Sequence, residues 1–426
     1  VVNKIGIIGT GIAGVGCAWH LRDSADITLL EQDTRPGGHT NTITVDEDGR
    51  AVPIDTGFIV FNKVTYPLLT RLFEELEVTI KPAEMSFSVR HVPDDLEYNG
   101  MGLNKVFAQR RNLFRPRFHR FLAQIRLFFQ VAHESMEDSE AVGMTVRSFC
   151  RHFGLGDDFL EYYLLPMASA VWSSEPGKVL DFPARPLIRF FHNHGFLGVS
   201  THHPWFTVEG GSRNYLHKML ERLKAPVLQC RVVAVTESSG GVQVRTADGG
   251  EMHFDRVVIA AHADQALGML ADPTVRQREL LSPFHYQRNH ITLHTDASVM
   301  PQLRRAWASW NYRIEQREGQ RTSTTHYWMN ALQGVSPNRN YFVSLNSQGR
   351  IPQEKILHEV WYDHPVYSLE TMHAQVELPF LNSQGHGQRL YFCGSYFRHG
   401  FHEDAYSSGV ALSKVIKDHL EQSSVP

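Results

Sequence analysis

The chain has 426 residues, of which 42% are hydrophobic and 20% charged, with a formal net charge of -3. That length suffices for two or three domains whose cores need no disulfide or metal staples. The balance excludes a disordered coil and a strongly basic protein that coats nucleic acid, so no nucleic-acid partner is expected. Four scattered cysteines, Cys17, Cys150, Cys230 and Cys393, form neither a CxxC pair nor a secretory spacing, which points to a reducing, cytoplasmic setting. No run comes near the roughly 18 uncharged apolar residues of a membrane span, and the first residues enter a strand without a basic leader. Any membrane contact is therefore expected to be peripheral.

The first predicted strand, residues 4–8, runs into Gly9-Thr10-Gly11-Ile12-Ala13-Gly14 and then into a helical pattern through Leu21. Gly9 permits the tight turn, and Gly11 lets backbone approach a pyrophosphate. Gly14 lets the helix pack on the strand, while the first helical amides, at Ile12 and Ala13, face the phosphates. A second strand, residues 26–30, ends at Glu31, 22 positions after Gly9, where a carboxylate accepts ribose hydroxyls. Gln32-Asp33-Thr34-Arg35-Pro36-Gly37-Gly38-His39-Thr40 follows, and later Val52-Pro53-Ile54-Asp55-Thr56-Gly57-Phe58.

Residues 76–204 read as mainly helical. Between Asn99 and His133 there are seven basic residues (Lys105, Arg110, Arg111, Arg115, Arg117, Arg120, Arg126) and no acid, interleaved with Phe107, Leu113, Phe114, Phe118, Phe121, Phe128 and Phe129. Over 104–130 this pattern fits membrane-contact helices with aromatics inserted and cations over anionic headgroups. It equally fits a helix whose apolar face packs in the core.

Trp205-Phe206-Thr207-Val208-Glu209-Gly210-Gly211 precedes a predicted helix over 215–223, and strands follow at 231–235 and 255–261. Residues 273–381 mix strand-like runs (290–293, 341–345) with aromatic segments. Leu390-Tyr391-Phe392-Cys393-Gly394 has the pattern of a buried strand, and Gly400-Phe401-His402-Glu403-Asp404-Ala405 opens a helix reaching Leu420. Glu403 and Asp404 suit the positive end of that helix. The histidine clusters His192/His194, His202/His203 and His399/His402 lack the spacing that brings two ligands to one helical face, so no metal is expected.

In the order of these blocks the chain resembles the flavin amine oxidase, protoporphyrinogen oxidase and phytoene desaturase superfamily. The resemblance implies FAD, bound non-covalently, and an α/β fold. A glutathione-reductase-type, Rossmann-like FAD-binding domain would be assembled from 1–75, 205–272 and 382–426, with an inserted α+β substrate domain from 76–204 and 273–381. It implies that Gln32, Arg35, Gly37, Gly38, His39 and Thr40 surround the pyrophosphate and that Thr56, Gly57 and Phe58 pass beside the flavin ring. Val232 would meet adenine. Gly394, Ser395, His402, Glu403, Asp404 and Ala405 would complete the cofactor site, with the last helix facing the flavin O2. The chain departs from the family pattern at Asp33, His39 and Ser395, where the family usually has a basic residue, an arginine and an acid.

Family amine oxidases commonly hold a lysine near the flavin N5 from the second insertion, yet no lysine occurs between Lys224 and Lys355. Trp172-Ser173-Ser174, Phe191-His192-Asn193-His194-Gly195, His294-Thr295-Asp296 and Trp307-Ala308-Ser309-Trp310-Asn311-Tyr312 resemble a branch found beside methyltransferases similar to cyclopropane-fatty-acid synthase. That likeness implies desaturation of a methylated acyl chain of a membrane phospholipid and a functional link to an acyl-chain methyltransferase. Trp172, Trp205 and Tyr396 are the expected substrate contacts, and His294 is the candidate catalytic base. Two other readings stay open: amine oxidation, and a non-catalytic lipid-binding protein of the same fold.

Overall fold

The computed structural model describes residues 3–136, 143–172, 176–198, 203–317, 320–385 and 387–422. Five parallel strands stand in the spatial order Val227–Gln229, Asp26–Glu31, Lys4–Ile8, Arg256–Ile259, Leu390–Phe392. The apolar runs of the inner strands are nearly continuous because both faces are covered, one by helices and the other by an antiparallel three-stranded unit together with further helices, so neither face needs polar residues. Helices Ile12–Leu21 and His402–Gln422 pack against each other on one face. Helices from opposite ends of the chain thus meet just after the glycine turn.

An antiparallel three-stranded unit, Val232–Ser238, Gly241–Thr246 and Glu251–Phe254, joins this sheet. The hairpin Thr42–Glu47/Arg50–Asp55 and the small sheet of Phe61–Asn62, Trp205–Val208 and Ile80–Ala83 lead out of it. A seven-stranded sheet then builds the other half of the molecule, in the order Ile356–Val366, His285–His294, Phe342–Leu345, Gln320–Trp328, Trp310–Arg317, Phe87–His91, Leu96–Asn99. It draws strands from both predicted insertions.

The strands at 80–83, 87–91 and 96–99 depart from the helical reading of 76–204. In the last two of these strands buried polar residues, Ser88, Arg90, His91, Glu97 and Asn99, hide the strand pattern. Arg90 meets Asp95 and Glu97, and the Glu97 carboxylate accepts the backbone N–H groups of Gln302 and Leu303, each at 2.9 Å.

Helix Pro116–Glu134 carries the second half of the basic aromatic stretch and uses its apolar face internally: Phe118, Phe121 and Phe128 lie in the largest core cluster. Arg117 is spent on a two-pronged pair with Asp158 at 2.8 and 2.7 Å, and Arg111 on Asp95. This part of the predicted membrane-contact segment is a core helix, because its aromatic spacing matches the neighbouring helices' inner faces. Among the described residues no helix is long and apolar enough to cross a membrane.

Candidate active site

A single cavity of about 1070 Å³ runs from the glycine turn to the seven-stranded sheet. At its first end, a side chain on Gly9 would stand 2.6 Å from the Ala260 carbonyl oxygen, and Gly9 has a φ of +100°. A Cβ on Gly14 would fall 2.0 Å from the Gly9 oxygen, whereas one on Gly11 would meet nothing within 4 Å. Gly14 is therefore a packing residue and Gly11 faces open cavity, as a backbone that approaches a phosphate must. Ile12 and Ala13 line the wall where the helix begins.

Glu31 ends its strand at the same wall. Its carboxylate accepts N–H groups from Thr10 (3.1 Å) and Asp33 (3.0 Å) and the Thr10 hydroxyl. The Gly37 N–H donates to the Thr10 hydroxyl at 3.1 Å, and Arg35 closes the loop by donating to the oxygens of Gly38 (2.8 Å) and Thr40 (3.2 Å). Gln32, Arg35, Gly37, Gly38 and His39 all line the cavity, and Val232 lines it on the same side, just after Cys230, whose N–H donates to the Glu31 carbonyl at 2.7 Å. An open glycine, a helix N-terminus and a fixed carboxylate in this order fit the diphosphate and ribose of FAD.

Thr56, Gly57 and Phe58 continue the wall toward Gly394, Ser395, His402 and Ala405. The His402 ring lies flat on Phe58, and its Nε2 hydrogen-bonds the Tyr215 hydroxyl at 2.6 Å. Burial depresses His402 to about 3, so the imidazole is neutral. Cys17 and Cys393 are sealed in the core with their thiols pushed up by burial, Cys17 to about 12; neither is placed to tether a flavin.

Besides Gly14, four of the expected site residues do not line the cavity. Glu403 caps a neighbouring helix, accepting the N–H groups of Leu68 (2.9 Å) and Leu69 (3.0 Å), and Asp404 accepts the Phe401 N–H at 3.0 Å to cap its own. Thr40 is buried against Tyr215. His294 is fully buried within the seven-stranded sheet, where Nε2 meets the Ser344 hydroxyl at 2.6 Å and Nδ1 accepts the Asp296 N–H at 3.1 Å. With both nitrogens engaged away from the cavity, it is not the catalytic base.

The other half of the cavity is walled by aromatic rings. Trp172 lies 4.8 Å from Phe190, which stacks on Phe401 at 4.7 Å and on His194 at 3.8 Å; Trp205 and Tyr66 close the ring about His194, at 6.2 and 6.5 Å. Trp172 and Trp205 line the cavity, while Ser173, Ser174 and His202 lie outside the described residues. Tyr396 reaches the wall, but its ring packs on Phe284 and Phe397 at 5.4 and 5.0 Å, inside the core beneath the cofactor-binding sheet. Its hydroxyl therefore belongs to that core rather than to an aromatic substrate frame.

His194 was visible only as part of a motif, and nothing in its neighbours' spacing separated it from His192, which is exposed. In the structure Nδ1 donates to the Phe190 carbonyl at 2.9 Å, so Nε2 carries the lone pair. Burial lowers the ring to about 4 and keeps it neutral. Among the described residues no lysine lines the cavity, and the carboxylates that line it are Glu31, Asp33 and Asp363. Among the described residues, ligand-type side chains converge at His91, Asp94 and Glu161, where the Arg321 guanidinium already contacts both His91 and Glu161.

Comparison with known proteins agrees with this geometry. The family model for flavin-containing amine oxidoreductase matches residues 12–303. No curated protein matches the chain in sequence. Among solved structures, the fold is similar to cyclohexylamine oxidase from Brevibacterium oxydans IH-35A (TM-score 0.70, 14% identity, 99% of this chain and 100% of that one). It is also similar to a CLA-producing fatty acid isomerase from P. acnes (0.66, 14%, 97% and 98%) and to putrescine oxidase (0.64, 14%, 97% and 98%). The glycine turn, the fixed Glu31 and the family match together place the chain in the flavin-containing amine oxidoreductase family, as an FAD-dependent oxidoreductase.

Proposed function

We propose that the enzyme desaturates a methylated fatty acyl chain carried by a membrane phospholipid. The observation that carries this reading is the aromatic half of the cavity, formed by Trp172, Phe190, His194, Trp205, Tyr66 and Phe401 without a lysine or a carboxylate among them. Such a wall removes apolar surface from water and offers no ion partner to an ammonium. The fold also serves a fatty acid isomerase.

Bound FAD supplies the acceptor for a hydride taken from one acyl carbon. The neighbouring carbon must then release a proton as the double bond forms, and His194 Nε2 accepts it. The Phe190 carbonyl fixes the tautomer that leaves this nitrogen free of hydrogen. Trp172 and Trp205 exclude water and hold the chain. A methyltransferase acting on the same acyl chain would supply the substrate.

Membrane access is assigned to the tip before helix Pro116–Glu134. There Leu103 and Phe114 are 76% and 86% exposed, with Met101 and Leu113 beside them and Arg110 and Arg115 facing solvent. Apolar side chains flanked by cations suit peripheral binding to an anionic leaflet.

Aromatic faces also attract ammonium groups, which keeps amine oxidation as the second reading. Incubating the enzyme with phospholipid bearing a mid-chain methyl group, then analysing the acyl chains by mass spectrometry, tests the proposal. Loss of two hydrogens supports it; unchanged chains beside turnover of an amine would replace it.

A further inference from the structure

Three imidazoles, His39, His262 and His364, line the cavity beside the glycine turn, each from a different element. His39 follows the Gly37-Gly38 loop, where a Cβ on Gly38 would lie 3.4 Å from the Cα of Gly11. Its ring stacks on Tyr362 at 4.6 Å and meets His364 edge-on at 5.4 Å. Neither ring nitrogen of His39 has a hydrogen-bond partner among the described residues.

The other two rings are held differently. Asn289 Oδ1 accepts from Gln287 (3.0 Å) and Asn346 (2.8 Å), so its amide nitrogen donates to His364 Nδ1 at 2.8 Å. That bond fixes His364 as the neutral tautomer with its hydrogen on Nε2. His262 lies flat on Tyr286 at 4.3 Å, with Asp264 and Asp363 as its charged neighbours. The groups facing His39 are His364, His262, His402 and Arg35, all cationic or neutral, and the Arg35 guanidinium is committed to the Gly38 and Thr40 oxygens.

We propose that His39 is the proton-linked counter-charge of the cofactor's diphosphate, neutral in the cofactor-free protein and protonated as FAD binds. Burial and the surrounding imidazoles and guanidinium hold the free His39 well below its ordinary range. A diphosphate brings two negative charges to this wall, and an opposite charge within about 4 to 6 Å favours the imidazolium. Binding then takes up a proton, so affinity rises as pH falls between the free and bound ionisations of His39. The inference rests on FAD binding and is independent of the substrate.

The test is calorimetric and fluorescence titration of deflavinated protein with FAD at pH 6, 7 and 8, in non-phosphate buffers of differing ionisation heat. Wild type is expected to take up close to one proton per FAD, with Kd tightening by up to roughly tenfold per pH unit. His39→Gln should lose the uptake and the slope, whereas His39→Arg should bind tightly with no slope. If the protein does not rebind flavin, the rate of FAD release from the holoenzyme is measured instead, expected to be faster at pH 8 than at pH 6 in wild type alone. A pH-independent wild type, or a His39→Gln variant that keeps the wild-type slope, would overturn the proposal.

Discussion

The imidazole of His402 lies on the ring of Phe58 with 3.9 Å between centroids and 8° between planes. This contact joins the first residue of the last helix to the segment that follows the second predicted cofactor loop, across most of the chain. Tyr215 locks it from the side through His402 Nε2 at 2.6 Å. The flavin end of the cavity is thus assembled by three segments that meet only in the folded protein.

Removing the Tyr215 hydroxyl leaves His402 Nε2 buried without its partner, which costs about 1 to 3 kcal/mol. Tyr215→Phe should therefore lower the unfolding temperature and release FAD faster. Thermal unfolding with and without added FAD reads both effects.

The glycines separate by role. Gly11→Val has room in the protein but fills the phosphate approach, so it should fold and lose flavin. Gly14→Ala meets the Gly9 carbonyl and should lower stability itself. Circular dichroism melting together with the flavin-to-protein absorbance ratio distinguishes the two losses.

Burial raises both Asp404 and Asp55 to about 6, above their unfolded values near 4. Each contributes stability that is complete below about pH 4 and is lost as pH rises through about 6. The buried neutral histidines, including His194 and His402, act in the opposite sense over this window, so a difference measurement is needed. Relative to wild type, Asp404→Asn should gain on the order of 1 to 3 kcal/mol between pH 5 and pH 7.5 in denaturant titrations. A constant difference would remove the carboxyl from the pH dependence.

At the exposed tip, Leu103→Ser with Phe114→Ser should abolish sedimentation with anionic liposomes. Arg110→Gln and Arg115→Gln should each weaken it by about 1 kcal/mol, and less at high salt. Arg117→Gln removes an ion pair with Asp158 and should affect stability rather than binding. Wild-type protein that ignores anionic liposomes would contradict the surface assignment.

The cofactor half was legible because its signals are local: a strand, a glycine turn and an acid at a set distance, such as Gly9 to Glu31, need no tertiary information. The substrate half was not. Glu97 and Arg90 fall in the segment read as mainly helical and are buried as a pair on strands, while of the two histidines His294 ends inside the seven-stranded sheet and His194 on the cavity wall. Phe118 and Phe114 sit four residues apart in one basic stretch, yet the first is in the core and the second is exposed. Only packing against distant elements decides such cases.

We propose a lipid chain, rather than an amine, as the occupant of the aromatic half of the cavity. Anaerobic mixing of the purified enzyme with phospholipid bearing mid-chain methyl groups, and separately with primary amines and polyamines, tests it through the flavin absorbance. Bleaching by the lipid and not by the amines is the predicted result; bleaching by an amine and by no lipid fraction would contradict it.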